Sequence, residues 1–224
     1  MTTKTRILAV VASLGIVLFL LGSYFYSGTN QTKVVPNNNG IEIAKDGDVI
    51  FQTSESSQCE AVRIATRSKF SHCGIIFTKD NEKFVLEAVQ PVKITPLKEW
   101  IQHGRDNCYM IKRVKDTLLL DNQKRTAMRL EGTKQLNKDY DLYFEWNDDK
   151  IYCSELVWKV YQRGANITLC KEQLLQSFNL KDPKVKAILK QRYGKNIPLR
   201  EKVVAPSQLA ESVLLETVFD NYTF

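Results

Sequence analysis

Cys153 heads the stretch Cys153-Ser154-Glu155-Leu156-Val157-Trp158, and Leu156, Val157, Val160 and Tyr161 recur behind it at helical spacing. The pattern predicts an amphipathic helix with Cys153 in its first turn and Gly164 as its C-terminal signal. A thiol at that place feels the helix dipole and unpaired N–H groups, and both favour the thiolate. A reactive thiolate needs a base beside it, and the chain contains only two histidines, His72 and His103.

Strand alternation selects between them. In Ser71-His72-Cys73-Gly74-Ile75-Ile76, a strand puts His72, Gly74 and Ile76 on one face and Cys73, Ile75 and Phe77 on the other. Cys73 is therefore expected to face away from any site built on His72. A second strand, Lys83 to Val89, follows the polar stretch Thr78 to Glu82, which reads as a hairpin loop. A loop of two or four residues sets His72 opposite Val89 and diagonal to Glu87, about 7–8 Å apart at Cα and within reach of long side chains. A three-residue loop would turn Glu87 to the wrong face. With the even loop, Glu87 is placed to accept the imidazole N–H and orient the ring.

Taken singly, these residues have plainer readings. A helix-start cysteine is usually a small buried hydrophobe, a strand histidine is commonly a satisfied core group, and Glu87 could face solvent. His103, beside Gly104 at a helix end, reads as a partner of the helix C-terminal dipole. Together, Cys153, His72 and Glu87 supply nucleophile, base and orienting group for thiol-dependent acyl transfer. The Cys153 backbone N–H is expected to help stabilise the oxyanion, with the Tyr152 side chain as a candidate second donor. No cofactor is called for. The five cysteines (Cys59, Cys73, Cys108, Cys153, Cys170) fit no metal-binding spacing, and there is no C-x-x-C or H-x-x-x-H.

The elements that must position these groups are legible in outline. Asp46-Gly47-Asp48 turns into a strand Val49 to Gln52, and Ser56 or Ser57 caps a helix running to Thr66. Pro96 suits the first position of a helix through Ile101, Tyr109 to Val114 reads as a strand, and Asp121 caps a helix to about Leu136. Helices are expected near Glu172–Phe178 and Asp182–Tyr193, then a strand at Val203–Val204 and a helix from Pro206. The expected class is α+β, with helices packed against an antiparallel sheet.

With 224 residues, 43% hydrophobic and 25% charged, the chain can bury one substantial core. Its net charge of +7 is dispersed, with no aromatic-interleaved basic block, which argues against a nucleic-acid partner. Two of the positive charges, Lys4 and Arg6, precede the uncharged run Ile7 to Tyr26, long enough as a helix to span about 30 Å. Residues 1–26 therefore read as a signal anchor or signal peptide, 27–45 as a polar linker, and 46–224 as the working domain. No A-x-A-like cleavage site is evident, which favours an uncleaved membrane anchor with the domain on the periplasmic or extracellular side. In an exported chain an odd cysteine count leaves at least one thiol free or paired with another molecule, and Cys153 is the candidate for the free one.

Gly47-Asp48-Val49-Ile50-Phe51-Gln52, Ser71 to Ile76, Val85-Leu86-Glu87-Ala88 and Tyr152 to Val157 resemble the blocks of the NlpC-type papain-like hydrolases. The cysteine block comes last here, so the order is similar to the circularly permuted branch and its YiiX-like exported members. Thr95 to Ile101, Tyr140-Asp141 and Arg192 to Pro198 extend the likeness over about residues 46–206. The resemblance implies a permuted papain-like fold with Cys153 as nucleophile, His72 as base and Glu87 as the third group. It departs at Cys73, where a small apolar residue is more usual. It implies an amide- or ester-cleaving hydrolase acting through a thioester on a small-molecule, peptide or lipid substrate. Export favours a cell-wall peptide, which would need an open, polar groove beside Cys153; the alternative, an acyl-lipid hydrolase or acyltransferase on the same site, would need an apolar one, and Tyr140, Tyr143, Phe144 and Trp146 could line such a groove. A non-catalytic binding module, and a metal or redox site on Cys153 and His72, are the competing classes.

Overall fold

The computed structural model describes residues 39–223; the segment read as an anchor and most of the linker lie outside them. The centre is a six-stranded antiparallel sheet in the order β4-β3-β2-β1-β5-β8. Its strands are β1 (Val49–Ser54), β2 (His72–Lys79), β3 (Glu82–Glu87), β4 (Lys93–Pro96), β5 (Gly104–Val114) and β8 (Leu215–Asp220). A small ribbon pairs β6 (Gln173–Leu174) with β7 (Lys202–Val203). The α+β class with an antiparallel sheet and packed helices holds.

Both faces of the sheet are covered, so β1 and β2 read as near-continuous apolar runs. On one face α4 (Asn122–Gln135) and α5 (Cys153–Ala165) pack against each other and against β2. Phe51, Cys73, Ile75, Leu86, Met128, Leu156, Val160 and Tyr161 form that core. On the other face α3 (Leu97–Gln102) brings Leu97, Trp100 and Ile101 onto Ile50, Ile76, Val85 and Ile111. The short helix α1 (Asn39–Ile43) falls in the stretch read as linker, yet its Gly40 is buried against Tyr109 and Phe219. A third cluster joins α2 (Ser57–Thr66) to α6 (Pro183–Tyr193) through Ala61, Val185 and Leu189.

The hairpin forms with the two-residue loop. Pairing runs from Ile75↔Leu86 to Lys79↔Glu82, and Asp80 and Asn81 both adopt positive φ (50° and 63°), the geometry of a tight turn matched to strand twist. The ladder stops short of the residues beyond Glu87, and β3 ends there rather than at Val89. Several other expectations are corrected. Gly164 does not end the cysteine helix; the left-handed cap is Asn166 (φ 56°). Gly164 instead lets α5 approach α4, since a Cβ there would lie 2.6 Å from Met128 Cα. The helix expected at Glu172–Phe178 is β6 followed by one 3₁₀ turn, Leu175–Ser177. Strands β4 and β8 carry weak patterns (Lys93-Ile94-Thr95-Pro96, and Leu215 to Asp220 after a turn) and take shape by pairing with β3 and β5. The remaining helix, α7, is Pro206–Ala210 as its proline suggests.

Candidate active site

The head of α5 is fixed by polar contacts before Cys153 is reached. Glu155 Oε2 accepts the Tyr152 N–H at 3.4 Å, the N3-to-cap half of a capping box. Ser154 Oγ donates to Val204 O at 2.7 Å. Buried Lys159 sits one turn on, 2.7 Å from Glu155 Oε1 and 2.9 Å from Asp148 Oδ1. Farther along, the Tyr161 hydroxyl donates to Gly47 O, while Asp48 holds Arg113 at 2.7 Å. The Gly47-Asp48 pair therefore ties the cysteine helix to the start of β1.

His72 opens β2 and pairs with Gln52 of β1. Its ring stacks on Trp100 of α3, centroids 5.7 Å apart at 24°. Its Nε2 lies 2.6 Å from Glu87 Oε2, and Thr95 Oγ1 of β4 donates to Glu87 Oε1 at 2.5 Å. Each carboxylate oxygen thus has a partner in a site where His72, Glu87 and Thr95 are 8%, 2% and 1% exposed. With Nε2 committed to Glu87, Nδ1 is the ring nitrogen left to face Cys153, whose nearness raises the imidazole. Burial pulls the imidazole down, but the bonds to Cys153 and Glu87 outweigh it and raise His72 to about 10. Burial also pushes Glu87 up, and the His72 and Thr95 contacts bring it below the usual carboxylate range.

Cys153 is held well below the ordinary thiol range, first by a hydrogen bond from the Cys73 thiol and then, against burial, by His72 and the Cys73 backbone N–H. Cys73, expected to face away from a site built on His72, does so, yet it acts on Cys153 from the core side. Alternation itself is intact: His72 stacks on Trp100, whereas Cys73 belongs to the opposite core with Cys153. Burial, then Cys153, raise the Cys73 thiol well above its usual value, so it stays a protonated donor. All five cysteines are free thiols.

The other named residues are placed as follows. The Tyr152 hydroxyl accepts the Val204 N–H at 3.1 Å, and its ring meets Phe144 edge-on at 5.2 Å. His103 caps the end of α3, 4.0 Å from Glu99 Oε1, and lines the cleft that His72 faces. Tyr140, read only as a possible groove residue, borders the same hollow as Cys153, and burial first, then the Cys153 charge, push its phenol well up. Its hydroxyl accepts from Gln58 Nε2 at 3.1 Å, which leaves its own proton to donate. Gln58, in turn, accepts from Arg192 Nη2 at 2.7 Å. Thr95, Trp100 and Gln58 carried no separable signal in the sequence, because their roles arise from elements that meet only in the fold.

Two hollows meet at this centre. One is apolar and runs from Cys153 between α2, α6 and the β6–β7 region, lined by Val62, Phe144, Tyr152, Leu175, Leu189 and Val204 among others. The other is lined mainly by polar residue types, Gln52, Ser54, Glu55, His72, Glu87 and His103 among others, with Val62, Val89 and Leu142 between them. Gln58 and Tyr140 border both.

Residues 43–219 match the family described as permuted papain-like amidase enzymes, YaeF/YiiX, C92 family. The chain is 45% identical over 172 residues to the uncharacterized protein YiiX of Escherichia coli strain K12, covering 77% of this chain and 84% of that protein. It also resembles a crystal structure described as the metalloprotein YiiX of Escherichia coli O157:H7, with a TM-score of 0.77 and 43% identity over 80% of this chain and 98% of the other. Among the described residues of this chain, no group of three or more His, Cys, Asp and Glu side chains is placed to hold a metal ion. Both Glu87 oxygens are already engaged by His72 and Thr95.

Proposed function

Because this chain belongs to the permuted papain-like amidases of the YaeF/YiiX family and is accordingly a cysteine hydrolase, we propose that it cleaves amides, or esters, of long apolar acyl groups. Cys153 is the nucleophile, His72 the acid–base partner and Glu87 the group that orients the imidazole. The thiolate attacks the acyl carbonyl, and the His72 imidazolium protonates the departing amine or alcohol. Water, activated by the now neutral His72, then releases the acid from the thioester. The Cys153 N–H at the head of α5 and the free proton of the Tyr140 hydroxyl serve the oxyanion. Tyr152 is the weaker choice for that role because its oxygen already serves Val204.

The observation that carries the substrate class is the apolar hollow opening at Cys153. An acyl chain buried there gains about 0.8 kcal/mol per methylene, whereas a wall peptide would leave it unfilled. The polar cleft on the His72 side suits a polar leaving group, and a wall peptide occupying that cleft alone is the second reading. Export supports either: Lys4 and Arg6 ahead of the apolar run Ile7 to Tyr26 fit an anchor that leaves the domain outside the cytoplasm. Among the described residues no helix is long and apolar enough to cross a membrane.

Turnover of acyl p-nitroanilides from acetyl to dodecanoyl tests the reading. We expect kcat/KM to rise about three- to fourfold per methylene while the chain still fits, and Cys153→Ser to abolish turnover with the fold retained. Cleavage of a wall tripeptide together with indifference to acyl length would overturn it.

A further inference from the structure

The acyl-transfer steps leave one thiol beside the site unused. Cys73, fully buried on β2, and Cys153, 4% exposed at the head of α5, lie in the same core cluster on facing elements. The two elements, β2 and α5, pack directly on one another, and the nearness of Cys73 is what most strongly holds the Cys153 thiol down against burial. Cys108 reaches Asp106 O and Asn221 O at 3.8 Å, Cys59 lies at the cleft on the His72 side, and Cys170 packs on the outside of the same cluster, its carbonyl accepting from Trp158 Nε1 at 2.9 Å. Two buried thiols on packed elements, one of them activated by an imidazole and open to a substrate hollow, have the parts of a disulfide-forming pair.

We propose that Cys73 is a resolving thiol: peroxide oxidises Cys153, and Cys73 closes a reversible disulfide with it. The Cys153 thiolate attacks one peroxide oxygen, the O–O bond breaks, and the departing hydroxide takes the proton of the His72 imidazolium as water. Sulfur is oxidised to the sulfenic acid and peroxide is reduced. The Cys73 sulfur then attacks the Cys153 sulfur, an S–S bond forms, and the sulfenic hydroxyl leaves with the Cys73 proton as a second water. The sum is two thiols and one peroxide giving one disulfide and two waters. The nucleophile is thereby blocked, and it is also spared further oxidation to the sulfinic acid, which thiols do not reverse. A dithiol reductant restores it by exchange.

The proposal rests on Cys153 being the reactive thiol but not on its substrate, so its test uses no turnover. The reduced full-length protein is treated with hydrogen peroxide, quenched, and mapped by mass spectrometry without reduction. Iodoacetamide labelling of Cys153 is measured before oxidation, after it, and after dithiothreitol. The expected result is a linked Cys73–Cys153 peptide lighter by two hydrogens, loss of labelling, and near-complete recovery with dithiothreitol. In Cys73→Ala and Cys73→Ser, each scaled to its own labelling before oxidation, Cys153 should gain two oxygens and recover little. Absence of the linked peptide from the wild-type protein, linkage of Cys153 to Cys59, or equal recovery in the variants would overturn the proposal. Failure of acyl-amide turnover would leave this result intact and count only against the substrate reading.

Discussion

Glu87 Oε2 lies 2.6 Å from His72 Nε2, although the two residues are not partners across the β2–β3 ladder. They share one face on a diagonal, and the position between them on that face is Gly74. A Cβ at Gly74 would stand 2.4 Å from Val85 Cγ1 and 2.7 Å from Leu86 O. The glycine lets the strands close tightly enough for the diagonal contact, and Thr95 from the next strand locks the far carboxylate oxygen.

Removing the charge of Glu87 while keeping its shape should separate orientation from electrostatics. In Glu87→Gln we expect kcat/KM to fall by about 10²–10⁴-fold, in the range of acid–base and orienting effects. Because Glu87 helps raise His72 to about 10, its loss lowers that value, and the alkaline limb of the pH–rate profile should move to lower pH. An unmoved limb would mean that the carboxylate does not act through His72.

The thiolate–imidazolium pair sets a labelling signature. Cys153 is held well below the usual thiol range while Cys73 is pushed up, so Cys153 should alkylate at nearly constant rate through neutral pH. Its rate should drop only in acid, where the thiolate protonates, whereas an ordinary thiol gains about tenfold per pH unit toward its own value of about 8.5. Parallel pH dependences of Cys153 and the half-buried Cys59 and Cys108 would sink the ion-pair assignment.

Gly74→Ala should both destabilise and deactivate. The added methyl meets backbone as well as side chain, and overpacking of this kind costs about 1–3 kcal/mol. Denaturant unfolding would report the loss, and crystallography would show a longer His72–Glu87 separation. A variant of wild-type stability and activity would mean the hairpin has slack that the contacts do not suggest.

Lys159→Met tests the anchoring of the cysteine helix. It leaves buried Glu155 without the ammonium 2.7 Å away, and stranding one partner of a buried ion pair costs about 3–5 kcal/mol. Burial already raises Glu155 to about 7 despite Lys159, so the variant should hold that carboxyl neutral to higher pH. Its deficit should accordingly be smallest in acid, where the carboxyl is protonated, and grow as pH rises through the neutral range. Thermal melts across that range check the sign.

Local sequence rules determined much of this protein. Helical spacing behind Cys153, the two-residue turn at Asp80–Asn81 and strand alternation around His72 are short-range properties, and they sufficed to predict which carboxylate meets the imidazole. The α+β class followed from the same patterns. Tertiary structure decided what those rules do not reach. Alternation correctly turned Cys73 from His72 but said nothing of where the Cys153 helix would land, which depends on α4, α5 and the end of the β2–β3 ladder. Strands β4 and β8 lack strong propensity and exist because β3 and β5 offer edges. Likewise, Thr95, Tyr140 and Gln58 gained their contacts from segments far apart in the chain. The apolar hollow was invisible for the same reason: α2, α6 and the β6–β7 region each contribute a few ordinary core residues, and only their packing around Cys153 leaves a space.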